Sequence, residues 1–255
     1  MKITFLGTGT SQGVPVIACK CDVCSSDDPH DKRLRTSLLL ETDRTVIVFD
    51  AGPDFRQQML RENVNRLDAI ILTHEHIDHI SGMDDVRAFN YITRDAIDIY
   101  AEERVLKEIK RLYAYVFAEK QYPGIPKMRL NEITLNNFMM NGVEITPIRV
   151  FHASLPILGF RIGDFAYITD ADRIPDESRE KLVGVKCMVI NALRKQKHIS
   201  HFNLYEAVNF IRDISPRQAF LTHISHQMGL HREITKELPH GIMLAYDGLK
   251  VTFDE

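Results

Sequence analysis

The sequence contains no long hydrophobic run, no excess of basic residues and only four cysteines in 255 residues. None of its apolar stretches approaches the roughly 18 residues that a membrane-spanning helix requires, so we expect no contact with a membrane. Residues 1–7 lack the apolar core and cleavage site of a signal peptide, which predicts a cytoplasmic protein. Lys and Arg number 32 against 35 Asp and Glu, and this balance argues against a protein whose main task is to grip a nucleic-acid backbone.

The composition is that of an ordinary globular protein, with 44% hydrophobic and 26% charged residues. Apolar runs of strand type alternate with helical patterns, and no repeat, low-complexity segment or linker divides the chain. Helices are expected over 54–63, 102–117 and 203–214. Asp54 with Gln57 has the spacing of a helix-capping box, and so has Asn203 with Glu206. We therefore predict one α/β domain over residues 1–255, built on mixed β-sheets.

A dense group of metal-binding side chains follows the apolar run 69–72: His74, His76, Asp78 and His79. The run has the pattern of a buried strand, which places the group on the loop that leaves the strand. In an extended chain, residues two apart point the same way, so His74 and His76 can aim at one point. Asp78 and His79 could serve a second metal, while Glu75 is expected to point away. The segment begins like the H-E-x-x-H motif of zinc proteases, but Asp78 stands where the second His would be.

Three further strand ends carry residues of metal-ligand type, namely His152, Asp170 and His223. A single histidine after a strand is usually structural. The repetition beside the first motif instead favours one metal site, because strand ends at one edge of a sheet converge. Asp50 also ends a strand, and two interpretations stay open for it: it orients a ligand histidine, or it forms the turn before Gly52.

The cysteines add a second pattern, C-x-C-x-x-C, formed by Cys19, Cys21 and Cys24. In a chain expected to be cytoplasmic, this spacing favours a metal site over disulfides, with a redox cluster as the alternative. Cys187 lies alone in an apolar run and is expected to be a small core residue.

The motif H-x-H-x-D-H, followed by a separate His, an Asp and a last His, resembles the metallo-β-lactamase superfamily. The resemblance implies a four-layer αββα sandwich with two mixed β-sheets and two metal ions at the sheet edges. It implies the following ligands: His74, His76 and His152 for the first ion, Asp78, His79 and His223 for the second, and Asp170 as the bridge. Lactamases commonly have Cys at the bridging position. Asp170 resembles the phosphodiesterase and nuclease branches instead, so antibiotic hydrolysis is not expected.

A narrower resemblance covers nearly the whole chain. Segments 7–11, 13–15 and 35–37, together with the cysteine cluster, are similar to those of the PhnP-type phosphodiesterases. In that family the three cysteines and a late histidine hold a structural zinc ion, and the matching histidine here is His226. His231 and His240 are less favoured substitutes. Three thiolates and one imidazole complete a tetrahedral zinc site with no open position, as a structural site requires.

The same resemblance implies a hydrolase that cleaves a small phosphodiester, such as a ribosyl 1,2-cyclic phosphate, through a hydroxide that bridges two Zn or Mn ions. Asp78 and Asp170 would take part in catalysis by holding these ions. The leaving alkoxide needs a proton, and His201, just before the third predicted helix, is the candidate donor, with His198 as the alternative. The resemblance places a catalytic histidine at His201 as well. Three basic residues before it could attract phosphate or belong to a solvated loop: Arg194, Lys195 and Lys197.

A tRNA 3′-end processing endonuclease is the alternative function, because such enzymes share the ligand set. They usually carry a protruding, often Gly-rich arm that grips tRNA. The only candidate insertion here is 111–130, which is short and contains one Gly. A non-catalytic metal-binding or scaffold protein would be expected to lack a ligand, and none is missing. We therefore expect a small substrate and no nucleic-acid partner, and the resemblance implies a homodimer.

Overall fold

Two seven-stranded sheets face each other, and helices cover the outer side of each. The computed structural model describes residues 1–120 and 122–253. The predicted domain 1–255 therefore includes Gln121, Asp254 and Glu255, which lie outside the described residues.

The strands are β1 (Lys2–Gly7), β2 (Ser37–Glu41), β3 (Val46–Phe49), β4 (Ala69–Ile71), β5 (Ile97–Ala101), β6 (Met128–Glu132), β7 (Phe138–Met140), β8 (Val143–His152), β9 (Leu155–Ile162), β10 (Phe165–Ile168), β11 (Cys187–Asn191), β12 (Gln218–Thr222), β13 (Ile242–Leu244) and β14 (Lys250–Thr252). The first sheet has the order β14-β1-β2-β3-β4-β5-β6, and the second has the order β13-β12-β11-β10-β9-β8-β7. Strands β3 to β6 run parallel, as do β10 to β13, and the other neighbours are antiparallel. Both sheets are therefore mixed, as the sequence predicts.

The α-helices are α1 (Asp22–Ser25), α2 (Phe55–Arg61), α3 (Ile77–Ile80), α4 (Arg87–Thr93), α5 (Glu103–Leu112), α6 (Asp176–Glu180), α7 (Leu204–Ile214) and α8 (His231–Glu237). Single 3-10 turns occur at Pro29–Asp31, Met83–Val86 and His226–Met228. No helix within residues 1–120 and 122–253 is both long enough and apolar enough to cross a bilayer.

The alternation of side chains along the strands explains the four layers. In β3, Ile47 and Phe49 point into a core between the two sheets, while Val48 points into a second core beneath the helices of the first sheet. A third core lies between the second sheet and its helices, α6 to α8. Successive strand residues face opposite sides, so strands covered on both faces must be apolar at every position. The αββα sandwich implied by the sequence is confirmed.

Two details of the predicted helices are wrong and one is right. The helix expected over 102–117 ends at Leu112, because the next residue, Tyr113, turns inward and its hydroxyl donates to the carbonyl of Ile80. Asp54 is the N-cap residue of α2, as expected, but its side chain does not cap the helix, because its carboxylate accepts from the backbone N–H and the guanidinium of Arg35. The capping box of α7 is present, with Asn203 accepting from the backbone of Glu206 at 2.9 Å and the reciprocal bond at 3.0 Å.

Candidate metal centre

The candidate ligands lie at one edge of the sandwich, where the strands that carry them end. Asp50 follows β3, His74 and His76 follow β4, His152 ends β8, Asp170 follows β10 and His223 follows β12. The ring centroid of His74 lies 4.5 Å from that of His76 and 5.9 Å from that of His152. The rings of His76 and His152 are 5.2 Å apart. The structure thus brings together the three histidines expected at the first ion.

The second half of the motif forms the one-turn helix α3 and not the loop that we expected. This turn directs Asp78 and His79 toward a common point, where His79 Nε2 lies 3.3 Å from Asp78 Oδ2. The ligand atoms of Asp78, His79 and His223 all lie within 4.8 Å of one another. These are the residues expected at the second ion.

Asp170 lies between the two groups. Its Oδ1 is 2.9 Å from His223 Nε2 and its Oδ2 is 3.3 Å from His79 Nε2. Its carboxylate also lies within 4.8 Å of the ligand nitrogen of His74, on the side of the first ion. Burial alone would raise the pKa of Asp170, yet the neighbouring His223 and His79 hold it well below its ordinary value. The carboxylate is therefore ionised and placed as a bridge would be.

The surroundings of the buried histidine nitrogens show whether metal cations would fit this site. Nε2 of His74 is buried and has no hydrogen-bond partner among the described residues, while Nε2 of His79 and of His223 face only the carboxylates of the site, at 3.3 and 2.9 Å. Buried polar atoms without partners are rare in native proteins, and each calls for an explanation. Nitrogen lone pairs facing two ionised carboxylates form a donor set that suits divalent transition metals. The residues present therefore fit the ions that the sequence implies.

Asp50 lies beneath this group and is fully buried. Its Oδ2 is 2.8 Å from His79 Nδ1, which leaves Nε2 of that ring free to face the site. Of the two interpretations left open by the sequence, the structure favours the one in which Asp50 orients a histidine. Burial alone would lower the pKa of His79, but the surrounding carboxylates raise it well above its ordinary value.

Three residues at this edge have left-handed backbone, with φ of 60° at Asp50, 59° at Asp170 and 54° at His223. Residues other than Gly rarely adopt this conformation, and it concentrates at functional sites. Here it turns the chain sharply after a strand, so that the side chain points along the sheet edge. The sequence does not indicate these left-handed residues, except that Asp tolerates this conformation better than most residues.

His201 lies against the same group and is 9% exposed. Its ring centroid is 4.6 Å from that of His152 and 4.8 Å from that of His223, and its Nδ1 is 3.8 Å from Asp170 Oδ1. Burial and the nearby His223 lower the pKa of His201 to about 3. The alternative residue, His198, is more exposed, and its Nδ1 faces the backbone N–H of Ser200 at 3.3 Å.

The basic residues before His201 are largely engaged within the protein. Arg194 donates to Gln227 Oε1 at 2.7 Å and to the carbonyl of Lys197 at 3.1 Å. Lys195 pairs with Glu237 at 2.7 Å. The alternative of a structural loop therefore fits Arg194 and Lys195 better than direct attraction of phosphate. Glu75 points away from the site, as expected, and pairs with Arg104.

The cysteine cluster forms a separate group at α1 and the last 3-10 turn. The Sγ atoms of Cys19, Cys21 and Cys24 lie 3.3, 3.4 and 3.5 Å from His226 Nδ1. Zinc bond lengths of about 2.3 Å to sulfur and 2.0 Å to nitrogen predict an S···N edge of about 3.5 Å in a tetrahedron. The geometry therefore fits the zinc site that the sequence implies. His231 does not substitute for His226, because its Nδ1 faces Arg33 Nη2 at 3.1 Å.

Two groups that position ligands escaped the sequence analysis. His152 Nδ1 lies 2.7 Å from the carbonyl of Ser200 and 2.9 Å from that of Asp170, which leaves its Nε2 for the site. Thr73 contacts both Asp50 and His74 through its hydroxyl. Neither contact leaves a signal in the sequence, because a backbone carbonyl is present at every position and a threonine is common after a strand.

Comparison with known proteins agrees with this fold. The model of the beta-lactamase superfamily domain matches residues 45–224. The crystal structure of a new diphosphatase from the PhnP family superimposes with a TM-score of 0.92 at 39% identity, covering 98% of this chain and 96% of that one. The structure of human tRNase Z, short form, has a TM-score of 0.72 at 19% identity and full coverage of both chains, which is a likeness of fold alone.

Among curated proteins, an octanoyltransferase of Porphyromonas gingivalis is 42% identical over 258 residues. The match includes 100% of this chain and 52% of that protein, so this chain spans about half the length of that relative.

Proposed function

This chain belongs to the β-lactamase superfamily and to its PhnP branch, and we propose that it is a metal-dependent phosphodiesterase that hydrolyses a small phosphodiester. The observation that carries the proposal is the convergence of buried histidine nitrogens on two carboxylates at the sheet edge. We assign His74, His76 and His152 to one ion, Asp78, His79 and His223 to the other, and Asp170 to both. We assign Cys19, Cys21, Cys24 and His226 to a structural zinc ion.

Two divalent ions, Zn or Mn, would supply an activated water and neutralise the charge on the phosphate oxygens. The protein's own contribution is to hold the ligands without rearrangement. Asp50 fixes the ring of His79, and the carbonyl of Ser200 fixes that of His152, so both present Nε2 to the site. The left-handed backbone at Asp170 and His223 places their side chains at the shared edge of the sheets.

We propose His201 as the proton donor to the leaving oxygen. Its Nδ1 is buried without a hydrogen-bond partner in the described residues and faces the space beside Asp170. To act as a general acid the ring must be protonated, because an imidazolium that gives up a proton returns to neutral imidazole. An arriving phosphate anion also favours the protonated ring, because a nearby opposite charge stabilises the charged form.

The proposal of a small substrate is supported by the segment 111–130. Its described residues fold back on the body, where Tyr113, Val116 and Ile125 are buried. The hydroxyl of Tyr113 bonds the carbonyl of Ile80 at 2.8 Å and the N–H of Met83 at 3.1 Å, beside the metal-binding turn α3. A segment packed in this way is poorly suited to reach out and grip tRNA, which disfavours the endonuclease.

The test is a substrate panel with the purified protein and Mn²⁺ or Zn²⁺. The panel contains bis-p-nitrophenyl phosphate, a ribosyl 1,2-cyclic phosphate, a dinucleoside diphosphate, a tRNA precursor and an octanoyl thioester. The dinucleoside diphosphate tests the diphosphatase relative, and the thioester tests the octanoyltransferase relative. We expect a cyclic or linear small phosphodiester to give the highest kcat/KM, and Asp170→Asn to abolish turnover, with the exposed Asp176→Asn as the matched control. Preferred cleavage of the tRNA precursor or the thioester would overturn the proposal.

A further inference from the structure

A buried hydrogen-bond chain joins one carboxylate to a histidine of each proposed ion. Asp50 Oδ2 lies 2.8 Å from His79 Nδ1. On its other side Asp50 accepts from Thr73, from the backbone N–H at 2.9 Å and from the hydroxyl at 3.0 and 3.1 Å. The same hydroxyl lies 2.9 Å from His74 Nδ1. Asp50, Thr73, His74 and His79 are all 1% exposed or less.

The direction of the protons in this chain follows from the chemistry of its members. The backbone N–H and the hydroxyl of Thr73 both donate to the carboxylate of Asp50, so the hydroxyl proton points to Asp50. The oxygen of Thr73 can then only accept from His74, which requires the proton of that imidazole to be on Nδ1. A neutral imidazole carries one N–H, so Nε2 of His74 is left with a free lone pair. That atom is one of the partnerless nitrogens at the metal centre.

We propose that Thr73 is a positioning residue that sets the tautomer of His74, so that the single carboxylate of Asp50 prepares one histidine of each ion for binding. Asp50 acts on His79 directly and on His74 through Thr73. The inference rests on the proposed metal centre and deepens it, because it connects the two ions through a path other than Asp170.

A consequence distinguishes this relay from simple packing. In Asp50→Asn the side-chain amide can donate to the oxygen of Thr73. The hydroxyl proton is then free to turn toward His74 Nδ1, which forces the ring proton onto Nε2, the atom that should bind the ion. Asp50→Asn is therefore expected to lower the affinity for both ions. Thr73→Val removes the partner of His74 and the hydroxyl bonds to Asp50, but it keeps the contact between Asp50 and His79.

The experiment compares wild type, Thr73→Val and Thr73→Ser, with Thr4→Val as the matched control. Thr4 is a threonine in a strand, 1% exposed, whose hydroxyl has no partner among the described residues. Long-range ¹H–¹⁵N NMR of histidine-labelled protein, with the metal centre empty and the cysteine site loaded, reports the tautomer of His74. Chelator competition with Zn²⁺ reports the affinity for each ion.

We expect the Nδ1–H tautomer of His74 in wild type, Thr73→Ser and Thr4→Val, and its loss in Thr73→Val. Loss of such a supporting hydrogen bond typically lowers metal affinity 10- to 100-fold, and Thr73→Ser should restore it. An Nε2–H tautomer in wild type, or wild-type tautomer and affinity in Thr73→Val, overturns the relay. A wild-type protein that binds no ions at the centre would instead overturn the proposed function, while the tautomer measurement still decides the relay.

Discussion

Gly52 lies where the chain leaving β3 crosses the turn α3, and replacing it by Ala is expected to displace Asp78. A Cβ on Gly52 would lie 1.9 Å from the carbonyl oxygen of Asp78, whereas real Cβ contacts essentially never fall below 3.0 Å. The neighbouring atoms are backbone, which cannot rotate away. The two segments are also tied together by bonds from Ala51 N–H to the carbonyl of His79 at 2.7 Å and from Gly82 N–H to that of Ala51 at 2.8 Å.

The size of the effect follows from this geometry. The carbonyl of Asp78 must move by at least about 1.1 Å to reach the 3.0 Å limit. A misplacement of about 1 Å in a catalytic constellation can cost about 100-fold in rate. Overpacking of this kind also typically costs about 1–3 kcal/mol of stability. We therefore expect Gly52→Ala to fold with reduced stability, to lose affinity at the ion held by Asp78, and to lose about 100-fold in phosphodiesterase turnover.

The assay combines elemental analysis, turnover of bis-p-nitrophenyl phosphate and urea unfolding. Gly184→Ala is the control, because its φ of 79° strains an Ala by about 1–2 kcal/mol while nothing lies within 4 Å of the new Cβ. The control should lose stability and keep both metal content and turnover. If Gly52→Ala kept turnover within about threefold of wild type, the tight contact between Gly52 and Asp78 would be irrelevant to the metal centre and the reasoning would fail.

Three further predictions concern other parts of the protein. His201→Ala should lower turnover at least about 100-fold with unchanged metal content, and unchanged turnover would remove His201 from its role as donor. Cys21→Ser should lower zinc content by about one equivalent and weaken folding, and elemental analysis showing no loss would reject the structural site. Burial and Arg33 lower the pKa of His231 to about 4, so the unfolded chain takes up a proton first as the pH falls below about 6.5. Wild type should therefore lose about 1–2 kcal/mol more stability than His231→Gln between pH 7 and pH 5 in urea titrations, and equal losses would contradict the assignment.

The strands and the layers could be predicted from the sequence because burial on both faces leaves a simple pattern. The run before His74 is apolar at every position, as a strand between two cores must be. Short helices gave no such signal. The turn α3 has four residues, of which Asp78 and His79 are ionisable, and so short a segment cannot show an apolar period. Tyr113 ended α5 early through a hydroxyl contact with Ile80, a tertiary effect that local pattern does not contain.

The candidate ligands could be chosen because His and Asp at strand ends have few structural uses. Their exact arrangement could not be predicted, because it depends on the backbone conformation. Asp170 and His223 reach the site through left-handed turns, which a sequence without Gly at these positions does not announce. The role of His226 came only from resemblance, since spacing alone left other histidines as partners for the cysteines. Thr73 was missed because a threonine hydroxyl becomes informative only when both of its neighbours are known.

Backbone hydrogen bonds connect the cysteine cluster to the candidate metal centre, although the cysteines are far from His223 in sequence. His223 and His226 belong to one short segment. Within it, Ile224 donates to the carbonyl of Thr8 at 2.8 Å and accepts from Thr10 N–H at 3.1 Å, in the loop that leads to the cysteines. Zinc held between that loop and His226 would therefore clamp the segment that carries His223. The backbone of His223 is in a strained left-handed conformation, so we expect it to relax when the zinc no longer holds this segment. Loss of zinc in Cys21→Ser should therefore also lower the affinity for the ion proposed between Asp78 and His223. The affinity for the ion proposed beside His152 should fall less.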